Sequence, residues 1–328
     1  MYFTREALEV ASGERVSKYR TARYRPYTMV GDFGCGIGAD TIGLSAERLR
    51  VSAVERDDLR LQMAEANLLA NDCLSFVNFH SADLLVDPLP DVPAAFADPG
   101  RRTGGKRFLS LADYLPPPGE LLRRLPAGFP IAFKLAPGVN RAEVESFDGE
   151  VEFISVNGEL KECVLWLGPL QTERRRATLI QDQGTYSLTH PSGQGWSEPR
   201  AISAFLYDPD PAVTRAELVS SLSDQYGWER VDAVVQLLTA DFYTPTPFAT
   251  AYRVDTVLPF DVRTVQSELK KRCIGRVTVV NRGSLADVEL ASKKWKLTGT
   301  DHRFVILTRQ LGKQVAVVAE RYNPALQM

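Results

Sequence analysis

A glycine-rich segment stands between the first predicted strand and the next predicted helix. Asp32-Phe33-Gly34-Cys35-Gly36-Ile37-Gly38 has the pattern D-x-G-x-G-x-G. Glycines let the backbone turn tightly and approach a ligand closely, because no Cβ intervenes, and the start of a helix offers free N–H groups. Two other interpretations exist. Gly34, Gly36 and Ala39 also fit the dinucleotide pattern G-x-G-x-x-A, and glycines at such a turn are sometimes purely structural.

Acidic residues at the ends of predicted strands separate these interpretations. Glu55 ends the second strand, 17 residues after Gly38, where a carboxylate accepts hydrogen bonds from the ribose hydroxyls of a nucleoside. Asp83 follows the third strand, where it suits an adenine amino group, and Asp98 ends the fourth. Open α/β sheets bind ligands at the carboxyl ends of their strands. The spacing therefore predicts an S-adenosylmethionine site, since a dehydrogenase needs neither Asp83 nor Asp98.

The predicted cofactor site is made of the glycine segment and the residues that end the second, third and fourth strands. We expect the following residues to contact S-adenosylmethionine: Asp32, Phe33, Gly34, Cys35, Gly36, Gly38, Glu55, Arg56, Ala82, Asp83, Leu84 and Asp98.

The loop Asp98-Pro99-Gly100-Arg101 is the predicted site of the chemistry. Methyltransferases that act on amines often have Asp or Asn, two prolines and an aromatic residue after the fourth strand. Here the second proline and the aromatic residue are absent. Asp98 would accept the amine protons, and Arg101 would stack on a base or hold a phosphate. We predict both as catalytic residues, and a mobile surface loop is the alternative interpretation.

The elements that must carry these residues alternate between strand and helix. Strands are predicted at 28–32, 51–55, 76–80, 94–98 and 129–135, and helices at 12–24, 40–47, 59–71 and within 114–125. This alternation predicts a parallel sheet. Strands at 152–156 and 161–167 flank Asn157-Gly158, a hairpin signal. The predicted fold class is therefore α/β: a Rossmann-like class I methyltransferase sheet ending in an antiparallel hairpin.

A smaller C-terminal α+β domain completes the predicted fold. The segment 182–199 is rich in Gly, Ser, Thr and Pro, so we predict a methyltransferase domain at 1–185 and a second domain at 195–328. Within the second domain, 211–226 and 229–238 are expected to be helical. Strands are expected at 252–258, 277–280, 304–309 and 314–320, with a helix at 262–271 and a short element near 284–294.

Composition limits the class of protein. The 328 residues are 44% hydrophobic and 24% charged, as in globular proteins. No apolar run is long enough to cross a membrane, and the N-terminus lacks a signal-peptide core, so we expect a cytoplasmic protein. Four scattered cysteines and three histidines form no metal-ligand spacing, so no metal is expected. The spacing of residues does not give the oligomeric state.

Charge is distributed unevenly along the chain. The overall formal charge is −2, but residues 261–328 contain thirteen Lys or Arg and six Asp or Glu, a net of +7. A basic end on an acidic body suggests a polyanionic partner. The tract Lys293-Lys294-Trp295-Lys296 suits a nucleic-acid backbone and a stacked base. A solvated face with a buried tryptophan is at least as good an interpretation.

Several segments resemble bacterial class I methyltransferases with a C-terminal THUMP-like domain, and the resemblance extends over nearly the whole chain. The segments that carry it are 4–9 and 11–16, the glycine segment, Asp98 to Arg102 with Gly104 to Arg107, 114–117, Lys134 to Val139, Asn157 to Glu162, 207–213, 270–283 and 297–299. The wider group includes enzymes that methylate guanosine amines in RNA. The resemblance implies S-adenosylmethionine-dependent transfer of a methyl group to a base in structured RNA, either tRNA or rRNA.

The predicted RNA contacts combine the loop after Asp98 with the basic tract. These residues are Arg102, Lys106, Arg107, Lys293, Lys294 and Lys296. Two other functions stay open at this stage. One is a non-catalytic module that binds S-adenosylmethionine or RNA. The other is a small-molecule methyltransferase whose C-terminal unit serves as a lid or a dimer surface.

Overall fold

The computed structural model describes residues 2–3, 13–100, 102–103, 106–107, 110–189, 198–284 and 295–324, with backbone alone at 102–103 and 106–107. The chain forms two compact units, Met1–Thr189 and His190–Met328. No helix in these described ranges is both long and apolar enough to cross a membrane.

The first unit alternates helices and strands along its first half. Its helices are α1 Glu14–Thr21, α2 Ala39–Ala46, α3 Asp58–Leu69, α4 Pro118–Arg123 and α5 Arg141–Glu145. Its strands are β1 Met29–Phe33, β2 Arg50–Glu55, β3 Val77–Ser81, β4 Ala95–Ala97, β5 Arg102–Thr103, β6 Lys106–Arg107, β7 Ile131–Leu135, β8 Glu150–Val156, β9 Glu159–Leu167, β10 Arg175–Gln181 and β11 Gly184–Thr189.

Nine of these strands form one sheet, in the order β11-β10-β8-β9-β7-β4-β1-β2-β3. The strands β3, β2, β1, β4 and β7 are parallel. Strand β9 lies between β7 and β8 and is antiparallel to both. The predicted fold class, a Rossmann-like sheet with an antiparallel hairpin, is confirmed. The sheet continues beyond that hairpin, because β10 pairs with β8 and β11 pairs with β10.

Helix α1 is held against the sheet by close packing and by buried polar contacts. A Cβ on Gly43 of α2 would lie 2.1 Å from Ser17 Oγ, so the two helices approach each other at a glycine. Tyr24, just after α1, is 1% exposed and donates a hydrogen bond to the Ala95 carbonyl at 2.9 Å. Helix α1 and Tyr24 are therefore packed into the core of the first unit.

The second unit is a seven-stranded sheet with three helices in its described residues. Its elements are β12 Phe205–Pro209, α6 Pro211–Arg215, α7 Val219–Tyr226, β13 Glu229–Arg230, β14 Leu238–Ala240, β15 Ala249–Pro259, α8 Val262–Lys271, β16 Ile274–Asn281, β17 Asp301–Gln310 and β18 Lys313–Arg321. The strand order is β13-β14-β12-β15-β18-β17-β16. Helix α8 buries Val265 and Leu269 in a cluster with the strands.

Two predictions for the second unit are wrong in detail. The single helix expected at 211–226 is divided into α6 and α7 around Glu217, whose φ is 56°. The helix expected at 229–238 does not form: its ends are the strands β13 and β14. Val231, Val235 and Leu237 are buried in the core of this unit. Val231, Val235 and Leu238 have the i, i+4, i+7 spacing of a helix face, so tertiary packing overrides local periodicity here. The element expected near 284–294 lies outside the described residues, except for Ser284.

Candidate active site

A cavity in the first unit opens at the carboxyl ends of β1, β2, β3 and β4. It is lined by Gly34, Cys35, Gly36, Ile37, Ala39, Asp40, Val54, Glu55, Arg56, Arg60, Ala82, Asp83, Leu84, Leu85, Asp98, Pro99, Gly100, Leu115 and Pro116. Ligands of open α/β sheets bind at this edge. The parallel strands therefore bring the glycine segment and three separated acids to one place.

The glycine segment forms a turn with three left-handed residues. Gly34, Gly36 and Gly38 have φ values of 85°, 56° and 85°, which side chains rarely adopt. A Cβ on Gly38 would lie 2.9 Å from Leu68 Cδ1 of α3, so this glycine permits packing inside the protein. A Cβ on Gly36 would meet nothing within 4 Å. Gly36 therefore presents its bare backbone to the cavity.

Glu55 connects the glycine segment to the start of α3. It is 8% exposed. Its Oε2 accepts a hydrogen bond from Gly36 N–H at 3.0 Å, and its Oε1 accepts from the N–H groups of Arg56 and Asp57, both at 3.0 Å. Asp57 in turn caps α3 through Leu59 and Arg60 N–H. These backbone donors fix the carboxylate at the cavity wall, where it suits a ribose hydroxyl.

Asp83 and Arg56 stand at the end of the cavity that lies over β2 and β3. Asp83 Oδ1 accepts a hydrogen bond from Leu85 N–H at 2.8 Å, and Arg56 approaches its other carboxylate oxygen at 3.9 Å. Both side chains are more than a third exposed. Together with Glu55, they are polar residues that line this end of the cavity, where the sequence predicts an adenosine group. The remainder of such a ligand would then extend over β1 and β4.

Asp32 lies beneath the glycine segment and does not line the cavity. It is 0% exposed, and its Oδ2 accepts a hydrogen bond from the Thr41 hydroxyl at 2.5 Å. Burial, reinforced by repulsion from Asp40, raises the pKa of Asp32 from 3.8 to about 8. Asp32 therefore carries a proton at neutral pH in the free protein. Its second oxygen accepts no hydrogen bond from any described residue.

Asp98 ends the fourth strand and is held by a buried lysine. Lys134 Nζ lies 2.8 Å from Asp98 Oδ2, and the two side chains are 4% and 18% exposed. Asp98 N–H donates to the Phe33 carbonyl at 3.1 Å, which ties its backbone to β1. A charged hydrogen bond of this length is strong in a partly buried place. Asp98 thus faces the cavity as one half of an ion pair.

The missing second proline is replaced by a glycine with a specific backbone role. Gly100 N–H donates to the Leu115 carbonyl at 2.8 Å, and Leu115 N–H donates to the Gly100 carbonyl at 3.0 Å. This pair closes the base of the loop between the two residues. As a result Leu115, which is 40% exposed, and Pro116 form an apolar wall beside Asp98.

A second group of buried charges lies next to Asp98. Arg20 of α1 is 3% exposed, and its guanidinium lies 2.5 Å from Asp40 Oδ1 and 3.1 Å from Glu162 Oε1. The same guanidinium stands 4.4 Å from the centre of the Phe96 ring. Burial raises the pKa of Glu162, while Arg20 and Lys134 act in the opposite direction. Asp40 lines the cavity, so α1 reaches the site through this pair.

The structure gathers most, but not all, of the predicted cofactor residues. Those lining the cavity are Gly34, Cys35, Gly36, Glu55, Arg56, Ala82, Asp83, Leu84 and Asp98. Asp32 and Phe33 are buried below it, and Gly38 packs against α3. Burial also raises the pKa of the Cys35 thiol, so this cysteine is a neutral wall residue.

The predicted substrate residues are less well described. Arg101, Lys293 and Lys294 lie outside the described residues, and Arg102, Lys106 and Arg107 are described in backbone only, as the short hairpin β5–β6. Lys296 is exposed in the second unit. Trp295 is 8% exposed and donates a hydrogen bond to the Val262 carbonyl at 3.2 Å. Of the two interpretations of this tract, the buried tryptophan is therefore the one observed.

Sequence reasoning missed several residues of the site. The most informative is Lys134, because a lysine within the apolar segment Ile131–Leu135 signals a buried charge that needs a partner. Asp40 and Arg20 could not be recognised from the local sequence. An acid in the first turn of a helix, as Asp40 is in α2, and a base in the last turn, as Arg20 is in α1, are both common. Leu115 and Pro116 belong to a segment recognised by resemblance, but their place beside Asp98 depends on the Gly100 pairing.

The cavity suits S-adenosylmethionine on three grounds. Gly36 leaves open space where a Cβ would project, and Glu55 offers a fixed carboxylate. Asp40 and Asp98, at the end away from Asp83, give that part of the cavity carboxylates for a cationic group. In the described part of the chain, no three His, Cys, Asp or Glu side chains are arranged to hold a metal ion.

Comparisons with known proteins identify the family of this chain. Residues 249–321 match the family model described as THUMP domain-like. An uncharacterized S-adenosylmethionine-dependent methyltransferase of Mycobacterium tuberculosis (strain CDC 1551 / Oshkosh) is 32% identical over 311 residues, covering 94% of this chain and 84% of the relative. A protein of the same description from strain ATCC 25618 / H37Rv matches equally well.

A solved structure shares the fold. The crystal structure of a candidate methyltransferase from Porphyromonas gingivalis W83 aligns with a TM-score of 0.75 at 18% identity, over 98% of this chain and 83% of that one. The alignment includes both units, so the combination of a methyltransferase sheet with a smaller C-terminal unit is common to the two proteins.

Proposed function

Because this chain belongs to the S-adenosylmethionine-dependent methyltransferases that carry a C-terminal THUMP-like domain, we propose that it methylates a base in structured RNA, either tRNA or rRNA. The enzyme class and the cofactor follow from the family. The RNA substrate and the roles of individual residues are the proposal.

The concentration of positive charge in the C-terminal part of the second unit carries this proposal. Residues 261–328 have a net formal charge of +7, within a chain whose overall charge is −2. Among the described residues of this segment, nine exposed side chains are basic: Arg263, Lys270, Lys271, Arg272, Arg276, Arg282, Lys296, Lys313 and Arg321. Within the described residues, ion pairs with carboxylates occupy only Arg272 and Arg282. The others are available to phosphates, which dominate the affinity of proteins for RNA.

The first unit supplies an acceptor site that suits an amino group. S-adenosylmethionine provides a methyl group already activated on a sulfonium. The protein therefore has to align donor and acceptor rather than generate a reactive group. Asp98 offers a carboxylate oxygen at the cavity for an N–H proton. Leu115 and Pro116 offer an apolar surface on which a flat base would lie. Arg101, three residues after Asp98, is proposed to contact the same base or its phosphate.

Transfer of labelled methyl groups to total RNA from a strain lacking this protein tests the proposal. The native protein should label RNA, and the label should disappear after ribonuclease treatment. Asp98→Asn, which leaves an oxygen for Lys134, should keep its affinity for the uncharged product S-adenosylhomocysteine but lose most turnover. Asp91→Ala, an exposed acid that does not line the cavity, is the matched control. Label found only in small molecules would instead indicate a small-molecule methyltransferase.

A further inference from the structure

Lys134 is a buried cation in a strand that is otherwise apolar. All five residues of β7 are buried, and the Lys134 side chain is 4% exposed. Lysines are almost never fully buried unless they are paired. The cost of burying this ammonium is offset by Asp98, at 2.8 Å, and Asp98 lines the cavity whereas Lys134 does not. The lysine therefore acts on the cavity through the aspartate.

The ion pair determines which oxygen of Asp98 is available. Lys134 Nζ donates a hydrogen bond to Oδ2. No described residue donates a hydrogen bond to Oδ1, although the Asp98 backbone N–H is itself bonded to β1. A carboxylate can rotate about its last torsion, but one held at Oδ2 by a buried ammonium is fixed in orientation. Oδ1, which no described residue engages, is thus the oxygen of Asp98 that is best placed to accept from a group in the cavity.

The ammonium also balances charge at this end of the cavity. Asp40 and Asp98 are the two carboxylates that line it there, and they are paired with the buried cations Arg20 and Lys134 respectively. Both cations also act on the buried Glu162, which does not line the cavity. A carboxylate without such a partner would attract any cationic ligand more strongly. The donor has a cationic sulfonium, whereas its product is a neutral thioether. The charge balance at Asp98 therefore influences how the site distinguishes the donor from the product.

We propose that Lys134 is a positioning residue for methyl transfer, which fixes the Asp98 carboxylate and balances its charge so that Oδ1 accepts a proton from a neutral amine. This inference rests on the proposed function. As the amine nitrogen bonds to the methyl carbon, the electrons of the carbon–sulfur bond stay on sulfur, and one N–H proton passes to Oδ1. The acceptor class is therefore an uncharged amino group, such as the exocyclic amine of a base.

Binding measurements on the full chain test the charge balance without any RNA. Calorimetry gives the affinities for S-adenosylmethionine and S-adenosylhomocysteine. Lys134→Met leaves Asp98 without its cation, so the preference for the sulfonium over the thioether should rise about tenfold. Lys134→Arg should keep the native ratio. The double variant Asp98→Asn/Lys134→Met, which removes both charges, should have an affinity ratio closer to the native ratio than that of Lys134→Met.

A matched control separates this role from general destabilisation. Lys161→Met removes a lysine that is 40% exposed and paired with Glu159 away from the cavity, and it should leave the ratio unchanged. If Lys134→Met does not fold, Asp98→Asn is compared with the double variant. These two proteins differ only at Lys134, so the comparison still measures how the charge of Lys134 changes the ratio of the two affinities. Equal ratios in the Lys134→Met and Lys161→Met proteins would show that the proposal is wrong.

Turnover with RNA provides the second readout. Lys134→Met should lower kcat at least tenfold with little change in KM for RNA, because the loss falls on alignment rather than on binding. Lys134→Arg should recover a large part of that loss. If the native protein labels no RNA, the proposed function fails, while the binding ratios still decide whether Lys134 balances Asp98. Unchanged kcat in Lys134→Met would overturn the positioning role itself.

Discussion

Replacing Glu55 by glutamine would measure how much one carboxylate contributes to cofactor binding. The substitution preserves size while removing the charge. Glutamine keeps a carbonyl oxygen for the N–H groups of Arg56 and Asp57. Its amide NH₂, however, would face Gly36 N–H, which now donates to Glu55 Oε2 at 3.0 Å. Glu55→Ala would remove all three backbone contacts, so it reports on folding as well as on binding.

The number of free acceptor positions determines the size of the expected effect. A carboxylate has about four lone-pair sites, and three backbone N–H groups already occupy three of those on Glu55. The site therefore has room for about one ribose hydroxyl without rearrangement. A hydrogen bond to a charged group contributes about 1.5–3 kcal/mol. Its loss should weaken S-adenosylmethionine binding by roughly 10- to 150-fold.

Isothermal titration calorimetry with S-adenosylmethionine and its product would measure this loss. Both ligands should weaken to the same extent, because both contain the same ribose. Asp58→Asn is the matched control: Asp58 starts α3 and accepts a hydrogen bond from Ser81, but it does not line the cavity. A folded Glu55→Gln protein that binds within threefold of the native affinity would refute the assignment. Tight binding of NAD by the native protein would refute it as well.

Two further predictions concern stability and RNA binding. Because Asp32 has a pKa of about 8 when folded and 3.8 as its ordinary value, the folded protein holds a proton that the unfolded chain releases. Stability should therefore fall by about 1.4 kcal/mol per pH unit from pH 5.5 to 7.5 and level off above pH 8, and urea unfolding of Asp32→Asn should lack this slope. A chain ending at Thr189 should bind S-adenosylmethionine but not tRNA, and binding by the full chain should weaken steeply with salt. Equal tRNA affinity of the two chains would contradict this.

The sequence was sufficient to predict the fold class and the edge of the sheet where the site lies. Strand–helix alternation implies parallel strands, and parallel strands place their carboxyl ends together. For that reason Glu55, Asp83 and Asp98 were predicted to meet although they are far apart in the chain, and all three line one cavity. Glycine spacing likewise indicated the left-handed turn, because few other residues adopt positive φ.

Local patterns were misleading where packing competes with periodicity. Val231, Val235 and Leu238 have the i, i+4, i+7 spacing of a helix face. In the structure Val231 and Val235 fill the core of the second unit from an irregular segment, and Leu238 is buried in β14. Trp295 illustrates the same limit, because a basic tract with an aromatic residue suits RNA equally well whether its ring is exposed or buried. Its burial is determined by the neighbouring α8, which no local window of sequence includes.

The sequence by itself determined which residue types end each strand, and only the tertiary structure decided their states and partners. Asp32 belongs to the glycine motif, but its burial beside Asp40 is what protonates it at neutral pH. Asp98 is predictable from strand order, whereas its pairing with Lys134 depends on β4 and β7 being neighbours in the sheet. Electrostatic energies depend on distance and burial in space, and sequence separation does not specify either quantity.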